Sequence, residues 1–366
     1  MARGRDPGDS TVTRVAVIPG DGIGPEVVRS GVAVMQAAAS VDSSQELEFE
    51  EFPWGSEYYL EHGVMMPEDA LETLRGFDEI YLGAVGWPTV PDHVSLWGLL
   101  LPIRRSFDQY VNLRPARLLR GVESPLRIAD PAALDITVVR ENTEGEYSDA
   151  GGRLYRGTPH ELAVQESVFT RRGVERILHY AYELAVERSG HLVGATKSNG
   201  ISITMPFFDE IFREVGEEYP GVEASLMHAD ALAARLVLNP EHFDVVVGSN
   251  LFGDLLSEIT AAISGAIGIA PSANLNPTGE FPSLFEPIHG SAPDITGKGV
   301  ANPAGAIWAA SLLLEHAGHA TAGERILDAL EEAIASGAKT PDLGGTATTK
   351  EVTEAVIGRL AGTPGG

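Results

Sequence analysis

Cysteine is absent from all 366 residues, which excludes a disulfide framework and any thiolate metal centre. Lysine is scarce: only four of the 26 basic residues are lysines (Lys197, Lys298, Lys339, Lys350), so most cationic work falls to arginine. A lysine in an interior-looking segment, such as Lys197, therefore stands out. Long apolar runs are missing as well. Residues 259–279 carry no charge, but Thr260, Ser264, Pro271, Ser272, Asn274, Asn276 and Pro277 interrupt them, so no membrane span is expected. The opening MARGRDPGDSTVTR lacks the apolar core of a signal peptide, and the expectation is a cytoplasmic protein. Positive charge is outweighed to a formal net of −26. An acidic surface repels nucleic acid and anionic membranes, so neither is expected as a partner, and an anionic substrate needs a local basic cluster.

What remains is an ordinary globular balance, 43 % hydrophobic and 21 % charged, in a chain long enough for two domains. Short β-like runs alternate with helical periodicity, which predicts an α/β architecture. Residues 15–18 read as a strand, broken by Pro19-Gly20-Asp21-Gly22. Pro25 then stands at a natural first helical position, with Val28, Val32 and Met35 on one face. Thr170 can cap a helix whose apolar residues are Val174, Ile177, Leu178, Ala181, Leu184 and Ala185. Residues 192–196 and 245–247 read as further strands. No internal repeat occurs, and no Pro/Gly/Ser-rich linker divides the middle, so two domains would be interwoven. Only the first ten residues and 362–366 look loose.

The most informative stretch is NLFGDLLSE, residues 250–258. After a strand at 245–247, an opening helix puts Asp254 and Glu258 on one face at the carboxyl end of a sheet. The pair reads either as two solvated acids or as carboxylates joined by a cation. The loop GDGIGPE, residues 20–26, leads from strand to helix with amide N–H groups free to meet an anion. Pro25 breaks the G-x-G-x-x-G pattern, so this is not an ordinary Rossmann fold; a tight turn without a ligand is the alternative. Arg104, Arg114 and Arg140 each lie beside an apolar or β-like stretch, and a guanidinium fork grips carboxylates at two points. Surface ion pairs are the other reading. Tyr147 in RENTEGEYS, Lys197 in TKSNG and Asp230 in HADALAARL are polar groups with equally plain structural alternatives: a satisfied hydroxyl, a strand-end lysine, a helix-face acid.

Taken in order, GDGIGPE, NLRP, RENTEGEYS, TKSNG, NLFGDLLSE, IGIAPSANLNP, FEPIHGSAPDITGKGVANP and KTPDLGG resemble the β-decarboxylating dehydrogenases, the family of isocitrate and 3-isopropylmalate dehydrogenases. GAVGWP, VPDHVSLWG, FDQYVNLRP, QESVFTRRGVERIL and ATKSNGISITMP resemble its tartrate and D-malate dehydrogenase branch. The resemblance implies two interwoven α/β domains of the isocitrate/isopropylmalate dehydrogenase fold. Residues 1–109 plus 265–366 would form the larger, cofactor-binding domain, and 110–264 the smaller domain for dimerisation, metal and substrate. It implies NAD and Mg²⁺ or Mn²⁺ as cofactors, admits a monovalent cation such as K⁺, and implies a homodimer with shared active sites. By the same resemblance, Arg104, Arg114 and Arg140 bind a dicarboxylate 2-hydroxy acid, and Asp254, Glu258 and Asp230 hold the divalent cation. Asp230 and Lys197 then come from the other subunit. Lys197 is the base and Tyr147 the proton donor. Gly22, Ile23, Asn199, Glu286, His289, Gly290, Ser291, Ala292, Asp294 and Asn302 would bind the dinucleotide. Asp294 would accept from the ribose hydroxyls, and its charge disfavours a 2′-phosphate, hence NAD over NADP. Asp342 adds acidity nearby. Trp97 stands where isopropylmalate enzymes offer an acidic residue, and its indole could fill the isopropyl space. That favours oxidative decarboxylation of D-malate to pyruvate and CO₂, with tartrate oxidation beside it. Leu100 and Leu101 keep 3-isopropylmalate as the alternative substrate. Glu258 departs from the aspartate usual in the family, so its extra methylene bears on direct ligation. A non-catalytic, acidic cation- or ligand-binding protein is the reading from another class.

Overall fold

The computed structural model describes residues 12–41, 46–128, 130, 133–265 and 267–362. Of the residues read above as loose, the first ten and 363–366 lie outside the described residues, whereas Gly362 ends helix Thr349–Gly362. Along the chain run strands β1 (Val12–Gly20), β2 (Glu46–Glu51), β3 (Glu79–Ala84), β4 (Val111–Arg117), β5 (Asp135–Glu141), β6 (Gly151–Leu154), β7 (Leu162–Gln165), β8 (His191–Thr196), β9 (Glu223–His228), β10 (Val245–Gly248), β11 (Pro271–Leu275) and β12 (Ser283–Pro287). The described residues cluster into two compact units. One comprises those of 1–109, 118–127 and 264–366, the other those of 110–117 and 128–263. The chain leaves the first unit and returns to it, so the units are interwoven.

In the first unit the strands run in the order β2-β1-β3-β12-β11. All neighbours are parallel except β11 and β12. β3 is buried throughout and β1 is buried from Val15 to Pro19, as the apolar parts of strands covered by helices should be. Helix Gly24–Val41 packs against helices Ala304–His316 and Thr349–Gly362. It buries Val27, Val28, Gly31, Val34, Met35 and Ala38, whereas Val32 is only half-buried, so the apolar stripe is rotated slightly from the face read in sequence. Ala304–His316 is apolar nearly all round and correspondingly buried. Residues 118–127, grouped with 110–264 in the sequence reading, cluster with the first unit. Gly121 sits against the backbone of Ala335 and Arg120 Nε is 2.7 Å from Glu331. Neither contact is local, so neither leaves a signature in the sequence.

In the second unit the order is β4-β5-β10-β8-β9, with only β4–β5 antiparallel. Helices Arg171–Glu187 and Thr204–Gly216 pack on one another and on β8, and helices Ala229–Leu238 and Asn250–Ile263 form a second packed pair. A separate antiparallel ribbon pairs β6 with β7, and every residue of it is exposed. Thr170 caps Arg171–Glu187 as the sequence predicts, its Oγ1 accepting from Gly173 N–H at 2.9 Å while donating to Glu144 at 2.8 Å. Thr170→Ala removes both bonds and is expected to cost about 1 kcal/mol, read as a lower urea midpoint with unchanged slope. Among the described residues, no helix is long and apolar enough to cross a membrane.

Candidate active site

Parallel strands end at the same edge of a sheet, and in the second unit β5, β8, β9 and β10 deliver the polar motifs there. β10 passes directly into helix Asn250–Ile263, whose fifth residue is Asp254. This helix lies close on β5 because residue 253 is glycine: a Cβ there would stand 2.5 Å from that of Arg140. Asp254 Oδ1 accepts from Arg140 Nη1 and lies 3.2 Å from Arg114 Nη1, while Oδ2 accepts from the Tyr147 hydroxyl at 2.9 Å. Glu258, one turn on, is 3.3 Å from the same Arg114 nitrogen and more exposed, 47 % against 28 % for Asp254. Two readings of the acidic pair were open, solvated acids or carboxylates joined by a cation. Among the described residues, the cations beside the pair are the guanidinium groups of Arg114 and Arg140.

These arginines are held from behind. Arg140, 5 % exposed, donates through Nε and Nη2 to Asn250 Oδ1 at 3.1 and 2.8 Å. Arg114 donates to Asn112 Oδ1 and Ser257 Oγ, both at 2.8 Å. The Arg140 guanidinium also lies 5.4 Å from the Tyr147 ring centre. Burial, and then the negative charge of Asp254, push the Tyr147 hydroxyl above the usual phenol range. Tyr147 is therefore a proton-bearing group at neutral pH.

Lys197 follows β8 and Asp230 follows β9. Their side chains meet, with Nζ 2.7 Å from Oδ1, and the hydrogen bond from Lys197 holds the Asp230 carboxyl below the usual carboxylate range. Asp230 is largely exposed. Among the described residues no three histidine or acidic side chains converge at metal-ligating distance. Asp254 with Glu258, and Asp230 with Lys197, are thus two separate groups within one chain. Asn199 is exposed in the turn after Lys197.

The dinucleotide candidates, Asn199 apart, belong to the first unit. Loop GDGIGPE is pressed against loop HGSAPD: Ile23 N–H donates to Ser291 O at 2.9 Å, and a Cβ on Gly22, which has φ +60°, would lie 2.0 Å from that oxygen. Only glycine fits. Asp21 ties the loop from beneath, accepting from Ser56 N–H, Ser56 Oγ and Gly86 N–H, each at 2.7 Å. His289 Nδ1 lies 3.1 Å from Gly290 O, and its Nε2 is buried without a hydrogen-bond partner among the described residues. Burial lowers the pKa of this imidazole, which keeps it neutral. Gly290 is exposed, Ala292 takes the left-handed conformation (φ +39°), and Asp294 is exposed on the short turn Pro293–Ile295. Asn302 donates to Asp342 at 2.8 Å and accepts from Ala304 N–H at 3.0 Å.

Arg104 and Glu286 are both buried and form an ion pair at 2.9 Å, with Asn274 donating to the same Glu286 oxygen at 2.8 Å. The arginine read as a substrate-gripping fork thus has an internal carboxylate partner 182 positions away. Trp97 lies in a wide π-type turn, Leu96–Leu100, and is 38 % exposed with the Arg105 guanidinium 4.7 Å from its ring centre. Leu101 is buried and Leu100 half-buried. Sequence reasoning gave no role to Asp21, Asn112, Asn250, Asn274 or Ser257. Each lies inside one of the motifs, but apart from the bond between Asn112 and Arg114 their contacts with the site residues and loops reach well along the sequence.

The sequence profile of the family described as isocitrate/isopropylmalate dehydrogenase matches residues 14–356. The chain is 58 % identical over 351 residues to the D-malate dehydrogenase [decarboxylating] of Escherichia coli, covering 94 % of this chain and 97 % of that one. It is 54 % identical over 357 residues to the tartrate dehydrogenase/decarboxylase of Pseudomonas putida, covering 95 % and 98 %. Among solved structures, isocitrate dehydrogenase from Methylococcus capsulatus superposes with a TM-score of 0.85 at 32 % identity, covering 95 % of this chain and 99 % of the other. The interwoven α/β architecture, a sequence match over nearly the whole chain and this structural likeness lead to one conclusion: the chain belongs to the isocitrate/isopropylmalate dehydrogenase family and is an oxidoreductase.

Proposed function

We propose that the protein catalyses NAD- and divalent-metal-dependent oxidative decarboxylation of D-malate to pyruvate and CO₂, with tartrate as a further substrate. The observation that carries this reading is the convergence on Asp254 of a phenol and two guanidinium groups. A proton donor and carboxylate-binding groups beside an acid suited to a hard cation match the needs of a hydroxy-diacid. The relatives named for D-malate and tartrate support the choice of substrate.

The residues fit both the divalent cation and the dinucleotide. Asp254 and Glu258 offer oxygen donors on one helix face, and the orphaned, neutral His289 Nε2 beside the paired glycine loops offers a contact for a bound dinucleotide. Asp254, Glu258 and the partner's Asp230 would hold Mg²⁺ or Mn²⁺, which supplies Lewis-acid polarisation when bound, and NAD supplies the hydride acceptor. A homodimer is part of this reading. The exposed ribbon carries Leu154, Leu162 and Val164, with Tyr155 beside it, and Leu238 is 73 % exposed; such surfaces mark association. On the same reading, residues 1–109 with 265–366 serve the dinucleotide, through Gly22, Ile23, Glu286, Gly290, Ser291, Ala292, Asp294 and Asn302, joined by Asn199. Residues 110–264 serve metal, substrate and dimer.

Arg104, Arg114 and Arg140 orient the two substrate carboxylates by charge-assisted hydrogen bonds. Lys197 Nζ takes the C2 hydroxyl proton as hydride leaves C2. The C3–C4 bond then breaks with its electron pair remaining on C3, CO₂ departs, and the Tyr147 hydroxyl delivers a proton to C3. One proton enters the protein and one leaves it, so the net reaction is D-malate + NAD⁺ → pyruvate + CO₂ + NADH.

The test is NADH formation on a panel of D-malate, tartrate and 3-isopropylmalate with Mn²⁺. The expected kcat/KM on D-malate exceeds that on 3-isopropylmalate by about 10-fold or more, since Trp97 occupies volume the isopropyl group needs. The reverse ranking assigns the chain to isopropylmalate, the reading that Leu100 and Leu101 favour. Undiminished activity after chelation removes the metal from the proposal, and no turnover on any of the three substrates returns the non-catalytic reading.

A further inference from the structure

Glu146 immediately precedes Tyr147, yet its side chain turns the other way. Its Oε1 accepts from Ser249 Oγ at 2.8 Å and its Oε2 from Leu251 N–H at 3.0 Å. Leu251 is the second residue of helix Asn250–Ile263, where an amide has no carbonyl partner within the helix. A carboxylate at that end is favoured by the helix dipole as well. One turn further along the same helix, Asp254 accepts the Tyr147 hydroxyl. The contacts close a ring: Tyr147, its peptide bond to Glu146, the two bonds of Glu146 to the helix start, the first helical turn, Asp254, and back to the phenol. Asn250 braces this ring, donating to Glu144 O at 2.9 Å while accepting from Arg140.

We propose that Glu146 is a positioning residue that fixes the Tyr147 phenol against Asp254; its effect on turnover rests on the reading of Tyr147 as the proton donor. A phenol on a loop has several rotatable bonds, and its hydrogen bond to Asp254 does not set the distance between loop and helix. Glu146 does, because it grips the helix from the neighbouring residue. Displacement of about 1 Å at a reacting group can cost up to about 100-fold in rate.

The experiment compares Glu146→Ala and Glu146→Gln with the wild-type protein and with Tyr147→Phe. Crystal structures of the two Glu146 variants are expected to show the Tyr147–Asp254 contact opened beyond about 3.5 Å in the alanine variant and less so in the glutamine variant, which keeps one acceptor oxygen. With D-malate, NAD and Mn²⁺, Glu146→Ala is expected to lower kcat by about 10- to 100-fold while KM for NAD stays within about twofold. The Glu146→Ala/Tyr147→Phe double variant should lose no more than Tyr147→Phe alone, since residues acting through one another are not additive. An unchanged Tyr147–Asp254 distance overturns the proposal. So does a lower melting midpoint with kcat intact well below it, or additive losses in the double variant, either of which makes Glu146 a helix cap only. If the alanine variant fails to fold, the glutamine structure decides. Absence of wild-type turnover on the whole substrate panel refutes the proposed function but not the positioning, which the crystallographic distance still tests.

Discussion

Asp254→Asn is expected to lower kcat/KM on D-malate by about 10³-fold or more, with secondary structure unchanged by circular dichroism. The substitution keeps side-chain volume and one carbonyl oxygen but removes the charge on which three neighbours depend. Arg114 and Arg140 are drawn to this carboxylate, and Tyr147 donates to it. Arg140 is the more buried of the two arginines, and it also donates to the neutral amide of Asn250. Removing one carboxylate partner of a buried guanidinium is destabilising, so the variant should also be measurably less stable. On the proposed function the loss of cation affinity adds to this, and the apparent Mn²⁺ requirement should rise steeply. Glu258→Gln provides the graded comparison: it lies a turn away, is nearly half exposed and, among the described residues, pairs with Arg114. Its expected loss is about 10-fold. A substitution at Asp254 that leaves more than about a tenth of the activity would remove this residue from the reacting centre, and equal losses at both positions would restore Glu258 to the same rank.

Why Asp254 and Glu258 can be placed from local sequence, while the contacts of Asp254 with Arg114, Arg140 and Tyr147 cannot, follows from the range of the interactions. The i, i+4 spacing of Asp254 and Glu258 is a local property of one helix, and the strand before it is an uninterrupted valine run, so both elements could be placed from residues 245–258 alone. The Thr170 cap and the glycine turn at 20–22 are local in the same sense. Register between strands is another matter. Asn112 faces Arg140 across β4 and β5, and this pairing helps bring Arg114 and Arg140 to the same carboxylate. Nothing near either arginine in sequence announces it. The Arg104 ion pair is of the same long range: its internal partner Glu286 lies on a strand that joins the unit only after the chain has passed through the other one. Asp21 sits inside a glycine motif, and its carboxylate ties that loop to Ser56 and Gly86, which lie far along the sequence.

Lys197→Met and Asp254→Asn, each expected to be inactive to within about 10⁻³ of wild type when alone, should restore activity to one another when mixed. On the proposed dimer, each site takes Asp254 from one subunit and Lys197 with Asp230 from the other. A mixed dimer then contains one site with both groups intact and one with both defective. Random reassociation of equal amounts places about half the protein in mixed dimers with one working site of two, so about a quarter of wild-type activity should return. Recovery requires subunit exchange, and brief denaturant treatment followed by dilution supplies it, with size-exclusion chromatography confirming reassembly. In one chain Lys197 Nζ already meets Asp230, while Asp254 faces Arg114, Arg140 and Tyr147. That division of labour is why the complementation discriminates. If all six groups served a site within one chain, every dimer in the mixture would contain only defective sites. Activity would then remain at the level of the single variants, and the shared-site reading would be wrong even if D-malate proved to be the substrate.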